Sequence, residues 1–334
     1  MSARLLVNAL RNPNALELVD WTALVSTARS EQLAGSLAAR LAGHPLPPAA
    51  RRLLDNAAHD AAHERTQALW EAEMCRRALE PLNVPVVLLK GTAFHAADLG
   101  AAAGRSVGDL DILVPRADIG RVEQALVGAG WEPMKEAGGY DDLYYRQWMH
   151  ELPPLVHRDR NRMIDVHHTI LPLTARPQPD AAALLANAIP LGNGLRVLAP
   201  ADMVAHAAAH LLADGDLAGG LRNLWDIDRL LRQFAREHKG FWGELAARSE
   251  LHGLRTAVAR ALRLTHRLYG TPVAPMLAGA PRPSDRWFVR RLLARDSWGR
   301  ATRPATQLGF YVRSHWLRMP PMMLARHLWT KASR

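Results

Sequence analysis

Cysteine is almost absent from this chain of 334 residues, since only Cys75 is present. A single thiol excludes an intramolecular disulfide and a zinc site built from several cysteines. Aromatic residues are also scarce, at 6%. Frequent alanine and leucine with an ordinary charged fraction of 22% are typical of a folded, mostly helical protein rather than a disordered one.

Long apolar segments are missing as well. No charge-free apolar run is long enough to span a bilayer. The first 21 residues contain no continuous apolar core of the signal-peptide type. We therefore expect a cytoplasmic protein without a transmembrane segment.

The net positive charge of the chain comes from its C-terminal end. Of 42 basic and 32 acidic residues, twelve and two lie in 281–334, which leaves 30 of each sign in residues 1–280. The net charge of +10 thus belongs to this basic C-terminal segment, which also holds four of the ten tryptophans. Two interpretations stay open: a packed helical cap with solvated arginines, or a surface for an anionic partner such as a membrane, a peptide or a nucleic acid. Peripheral attachment to a membrane surface would follow from the second.

Apolar spacing divides the chain into four regions. We expect an α+β protein with a small mixed-sheet core at 81–172, a helical region at 1–80, a second at 173–280 and the basic segment at 281–334. The regions contain the following predicted elements: helices at 14–27, 30–41, 49–79, 116–128, 201–213, 221–237, 240–249, 254–269, 287–293 and 322–331; strands at 83–91, 107–114, 131–135, 142–150, 152–158 and 162–170. Residues 178–198 are predicted to be a linker with a short helix.

Two carboxylates mark the second predicted strand. Asp109 and Asp111 are two residues apart, so both project from the same face of a strand, while Leu110 and Ile112 face the other way. Alone, this pattern fits a solvated strand face as well as a metal site. Asp165 lies in another apolar strand, and three carboxylates converge if the two strands are neighbours. Such a cluster is costly unless cations neutralise it.

A Lys90-Gly91-Thr92 turn ends the first predicted strand and opens a helix. Glycine lets a ligand approach the backbone, and the amides at a helix N-terminus attract phosphate. Thr92 offers a hydroxyl, and Lys90 or Arg105 could neutralise a triphosphate. The alternative is an ordinary helix cap beside a lysine.

Together these motifs resemble the DNA polymerase beta-like nucleotidyltransferase superfamily, and more closely the bacterial uncharacterised nucleotidyltransferase family. The resemblance is carried by LLKG at 88–91, RSVGDLDILV at 105–114, IDVHH at 164–168, ADMVAHAAAH at 201–210 and NLWDID at 223–228. Two departures from the wider superfamily are Thr92, where serine is usual, and the spacing of 18 positions from Gly91 to Asp109, which is shorter in the superfamily.

The resemblance implies a site and a reaction. Asp109, Asp111 and Asp165 would bind Mg²⁺ or Mn²⁺, and Asp165 would orient or deprotonate an acceptor hydroxyl. Lys90 with Gly91, Thr92 and Arg105 would bind an NTP such as ATP. A nucleoside monophosphate would pass to the acceptor hydroxyl with release of pyrophosphate.

Other residues are weaker site candidates. His167 shares a strand face with Asp165, and His206 and His210 are one helical turn apart. These two histidines and Arg222 could contact a ligand or simply pack. The acceptor, whether a small molecule, a peptide or protein, or an RNA, is open. Alternative functions are a non-catalytic nucleotide-binding or interaction protein on the same fold, or a binder of anionic surfaces through the basic C-terminal segment.

Overall fold

The structure is a computed structural model, and it describes residues 2–14, 16, 19–134 and 145–318. A mixed sheet lies at the centre of the molecule. Its strands in the described residues are β1 (Val86–Leu88), β2 (Asp109–Leu113), β3 (Trp131–Pro133), β4 (Leu155–His157), β5 (Met163–His167), β6 (Ile189–Pro190) and β7 (Leu195–Val197). They are arranged in the order β3-β4-β5-β2-β1-β7-β6. The expected α+β architecture with a mixed sheet is confirmed.

Three strand pairings at the middle of the sheet bring the predicted site residues together. Strands β2 and β5 are parallel, with Asp111 opposite Asp165. Strand β1 is antiparallel to β2 and parallel to β7. The Leu89 amide donates to the Asp111 carbonyl at 2.9 Å, which fixes the end of β1 beside β2.

Helices surround this sheet. In the described residues they are α1 (Ser2–Arg11), α2 (Trp21–Ser30), α3 (Ala34–Arg40), α4 (Pro48–Leu79), α5 (Lys90–Ala96), α6 (Ile119–Gly128), α7 (Ala181–Ala186), α8 (Pro200–Ala209), α9 (Gly220–Glu237), α10 (Phe241–Leu251), α11 (Arg255–Tyr269), α12 (Pro275–Ala278), α13 (Asp285–Leu292) and α14 (Pro304–Arg318). Short 3-10 turns occur at Glu80–Leu82, Gly100–Ala102 and Arg116–Asp118, and a π-helical turn occurs at His210–Asp214.

Local sequence explains several helix starts. The Asp20 carboxylate accepts a hydrogen bond from the Ala23 amide at 3.0 Å and caps α2. Pro48 and Pro200 begin α4 and α8, where the missing amide hydrogen breaks no hydrogen bond. Both helices therefore start close to the predicted positions.

Packing joins the helical regions to the sheet. Helix α4 contacts α3, α5, α6 and β2, whereas α8 packs against α9, α10 and α11. Helix α1 contacts α2 and α11, so the N-terminal region meets the later helices directly. One continuous apolar core runs through both, with fully buried residues such as Leu10, Leu88, Ile112, Leu224 and Leu262.

Several predicted elements were wrong or incomplete. Helix α1 was not predicted, and the helix predicted at 14–27 is instead α2, which begins at Trp21. Of the strand predicted at 142–150, residues 145–148 are helical and 149–150 form a bend, whereas 142–144 lie outside the described residues. The predicted linker at 178–198 supplies β6 and β7, so the sheet continues past residue 172, where we expected the core to end. The division of the chain into four regions stays a prediction.

The C-terminal region also differs from expectation. Helix α13 is close to the predicted 287–293, but α14 was not predicted. The helix predicted at 322–331 lies outside the described residues. Among the helices that the structure describes, none combines the length and apolar character needed to cross a membrane.

Candidate active site

The structure brings Asp109, Asp111 and Asp165 together at the middle of the sheet. One carboxylate oxygen from each lies within 4.8 Å of those of the other two. The pairing of β2 with β5 causes this, because it sets Asp111 directly opposite Asp165. Leu110 and Ile112 of β2 are buried in the core, so the strand presents an acidic face and an apolar face.

Asp111 is held in place by two cationic or donating groups. The Lys90 ammonium lies 2.6 Å from Asp111 Oδ1, and His167 Nε2 donates to the same oxygen at 2.9 Å. Burial opposes ionisation of Asp111, but Lys90 and the His167 hydrogen bond outweigh it and hold the pKa of Asp111 well below its usual range. Asp111 is therefore ionised.

The pKa of Asp165 is shifted in the opposite direction to that of Asp111. Burial raises the pKa of Asp165 to about 7, with further contributions from the charges of Asp111 and Glu151. Its buried Oδ1 has no hydrogen-bond partner among the described residues. An unpartnered oxygen within a crowded carboxylate cluster fits a divalent cation, which prefers oxygen ligands and neutralises their repulsion.

The Lys90-Gly91-Thr92 turn is closely packed. A Cβ atom on Gly91 would lie 1.7 Å from Arg105 Nη1, so glycine makes room for the Arg105 guanidinium. This differs from our expectation that a ligand approaches the backbone there. Thr92 is only 1% exposed, and its hydroxyl has no hydrogen-bond partner among the described residues. The phosphate-binding roles of Gly91 and Thr92 stay predictions.

Arg105 is engaged inside the protein. Its Nε lies 2.9 Å from Asp226 Oδ2, its guanidinium stacks over Phe94, and the residue is 5% exposed. His95 Nε2 is 2.9 Å from the Arg105 carbonyl oxygen. Arg105 thus joins the segment before β2 to α9, and its predicted contact with a triphosphate stays a prediction.

The weaker candidates His206 on α8, His210 in the π-helical turn after α8 and Arg222 on α9 lie near Lys90. A pocket beside the aspartates is lined by Lys90, Phe94, Arg105, Met203, His206, Ala207, His210, Arg222, Asn223 and Asp226. Burial and the nearby Lys90 charge lower the pKa of His210 to about 3 and hold that of His206 well below its usual range. Both imidazoles are therefore neutral. Arg222 also lines an adjoining groove with Ser106 and Gly108.

Two residues next to the aspartates were not identified from the sequence. Glu151 Oε2 lies 3.3 Å from His167 Nδ1 and 3.6 Å from His150 Nε2. Burial and the nearby His167 hold the pKa of His150 well below its usual range. The only signal was the adjacent His-Glu pair, which carries little information without a known strand partner.

The basic C-terminal segment uses some of its charge internally. Arg295 Nε lies 2.6 Å from Glu31 Oε1. Asp285 Oδ2 of the same segment lies 2.6 Å from Arg263 Nε. The remaining arginines include a group around a pocket of the surface. It is lined by Arg4, Pro283, Arg286, Trp287, Val289, Arg290, Leu293 and Arg303, and Trp287 is 60% exposed.

The chain matches the model of a known protein family. A family model described as "Uncharacterised nucleotidyltransferase" matches residues 17–270, about three quarters of the chain, including the aspartate cluster and the pocket beside it. No curated protein and no solved structure matches the chain.

Proposed function

Because the chain belongs to the uncharacterised nucleotidyltransferase family, we propose that it transfers a nucleoside monophosphate from an NTP to an acceptor hydroxyl and releases pyrophosphate. The convergence of Asp109, Asp111 and Asp165 carries this proposal. A solvated strand face would not bury an ionised Asp111 next to an unpartnered Asp165 oxygen.

The three aspartates would hold Mg²⁺, or Mn²⁺ in its place. Bound divalent cations supply charge neutralisation for the triphosphate and for the charge that develops at phosphorus. Asp111 is ready to ligate because its Oδ1 is already bonded to Lys90 and His167, which leaves Oδ2 for a cation. Lys90 and His167 are thus positioning residues for Asp111.

Asp165 has the properties of a proton acceptor. In the metal-free protein its pKa is about 7, whereas that of Asp111 is held well below the usual range, so Asp165 is the better proton acceptor of the two. The acceptor hydroxyl would give its proton to Asp165 while the hydroxyl oxygen forms a bond to the α-phosphorus. The bond from the α-phosphorus to the bridging oxygen breaks, and pyrophosphate leaves with that oxygen.

The pocket between Lys90, α8 and α9 has a volume of about 30 Å³, so it would take phosphate oxygens of the nucleotide rather than the whole molecule. Three cations line it next to the neutral His206 and His210, and one of them, Arg105, is paired with Asp226. We assign Lys90 and Arg222 to triphosphate oxygens and the two imidazoles to hydrogen bonds with the nucleotide or acceptor. Arg105 would act indirectly, by holding Asp226 at the pocket wall.

An α-³²P label tests the proposal across all three classes of acceptor. Purified protein is incubated with labelled NTPs, Mg²⁺ and separate pools of small molecules, proteins and RNA. We expect label transfer and pyrophosphate release in one pool, and loss of at least about 100-fold in Asp109→Asn, because metal and positioning effects are large. Asp159→Asn, at an exposed aspartate after β4, is the matched control. Equal Mg²⁺-dependent pyrophosphate release by Asp109→Asn and the wild type would contradict the proposed reaction and leave the non-catalytic alternatives.

A second candidate function is favoured by the arginine-lined pocket, which places four arginines around the exposed Trp287. Such a surface suits an anionic partner. We expect binding of RNA or anionic vesicles that weakens steeply with salt, and weaker binding in the Arg286→Ala/Arg303→Ala double variant. Binding that salt and the double variant leave unchanged would remove this function.

A further inference from the structure

We propose that His150, Glu151 and His167 form a second cation site, for a transition metal such as Zn²⁺, beside the aspartate cluster. Its three donors differ from those of the aspartate cluster. The proposal therefore does not depend on the nucleotidyl-transfer reaction.

The spacing of the donors fits a tetrahedral ion. Two ligands about 2.0–2.1 Å from tetrahedral Zn²⁺ are separated by about 3.3 Å. Glu151 Oε2 is 3.3 Å from His167 Nδ1 and 3.6 Å from His150 Nε2. One donor atom from each of the three residues lies within 4.8 Å of the other two. Small movements of the side chains would bring all three onto one ion.

The hydrogen bonds of His167 also fit the role of a metal ligand. His167 Nδ1 is buried and makes no hydrogen bond in the described structure, although Glu151 Oε2 is only 3.3 Å away. The two atoms are close but are not aligned as donor and acceptor, as expected for two ligands that face a common ion. On its other side, His167 Nε2 donates to Asp111 Oδ1 at 2.9 Å. A metal-ligating histidine usually donates its second ring N–H to a carboxylate in this way.

The chemistry of the donors separates the two sites. Two imidazoles and one carboxylate suit Zn²⁺ and similar ions, whereas three carboxylates suit Mg²⁺ or Mn²⁺. Three protein ligands leave a fourth position for water or another ligand. An ion here would hold the His167 ring and, through it, the Asp111 carboxylate that faces the other cluster.

A Co²⁺ titration of the chelator-treated full-length chain tests this site. Cobalt with imidazole and carboxylate ligands in tetrahedral geometry absorbs visible light far more strongly than cobalt in an octahedral oxygen site. We expect the wild type to give the tetrahedral spectrum and Zn²⁺ to displace the cobalt. Loss of one ligand in His150→Ala or Glu151→Gln should weaken Co²⁺ binding at least about tenfold.

Asp109→Asn is the matched control, since Asp109 belongs to the aspartate cluster and not to this site. It should keep the tetrahedral spectrum while losing label transfer, which separates failure of this proposal from failure of the proposed reaction. Circular dichroism of both ligand variants checks that they fold. No tetrahedral spectrum in the wild type, or the same Co²⁺ affinity in the wild type and in a folded Glu151→Gln, would overturn the proposal.

Discussion

Replacing Asp165 by asparagine should stabilise the metal-free protein above neutral pH while it abolishes transfer. The pKa of Asp165 is about 7 in the folded protein against an ordinary value of 3.8. The folded state therefore keeps a proton that the unfolded chain releases, so the free energy of unfolding falls as pH rises from about 4 to about 7. The asparagine variant cannot ionise and avoids this loss.

The size of the effect follows from the pKa difference. A difference of about 3 pKa units corresponds to at most about 4 kcal/mol in the free energy of unfolding. The wild type has this contribution below about pH 4 and has lost it at pH 8. At about 2.1 cal/mol/K per residue, a chain of this length changes its Tm by about 1.5 °C for each kcal/mol. The upper limit for the difference in Tm between variant and wild type at pH 8 is therefore about 6 °C.

Thermal unfolding with EDTA at pH 5 and pH 8 measures this difference. We expect the Tm of Asp165→Asn to fall less from pH 5 to pH 8 than the Tm of the wild type. The Tm of Asp159→Asn should change with pH as the wild-type Tm does. Mg²⁺ should raise the wild-type Tm more at pH 8 than at pH 5, because at the lower pH it must displace a proton. An identical pH dependence of Tm in Asp165→Asn and the wild type would show that Asp165 does not carry a raised pKa.

Other substitutions test the neighbouring contacts. Lys90→Met leaves the buried Asp111 with a single donor and should lower the free energy of unfolding by about 1–3 kcal/mol in urea at pH 7.5; this is less than for a fully buried pair because Lys90 is 25% exposed. A change below about 0.5 kcal/mol would contradict the ion pair. Gly91→Ala should displace Arg105 from its buried carboxylate partner and cost at least about 3 kcal/mol, since the new Cβ would lie 1.7 Å from Nη1. Gly120→Ala, in open space on α6, is its control and should be neutral or stabilising by about 0.5–1 kcal/mol. Equal stability of the two glycine variants would show that Arg105 moves without cost.

The aspartate cluster could be anticipated because its signals are local. The spacing of Asp109 and Asp111 fixes their common face once the segment is a strand. Asp165 stands out as a carboxylate in an apolar strand. That β2 and β5 are neighbours depends on pairing over more than fifty residues, and it came from the family resemblance rather than from spacing.

The parts that could not be anticipated depend on distant contacts. Arg105 meets Asp226 across 121 residues, and no local pattern shows that this guanidinium is already paired. Strands β6 and β7 are two and three residues long, too short for a period to be recognised. Glu151 reaches His167 through an isolated bridge that only the folded chain creates.

A crystal structure with Mn²⁺ and a non-hydrolysable NTP would test directly whether the three aspartates bind metal and nucleotide together. We predict two anomalous peaks within about 2.2 Å of carboxylate oxygens of Asp109, Asp111 and Asp165, with the α-phosphate at the same ions. An NTP bound elsewhere, or manganese absent from the three aspartates while the nucleotide is present, would contradict the proposed reaction.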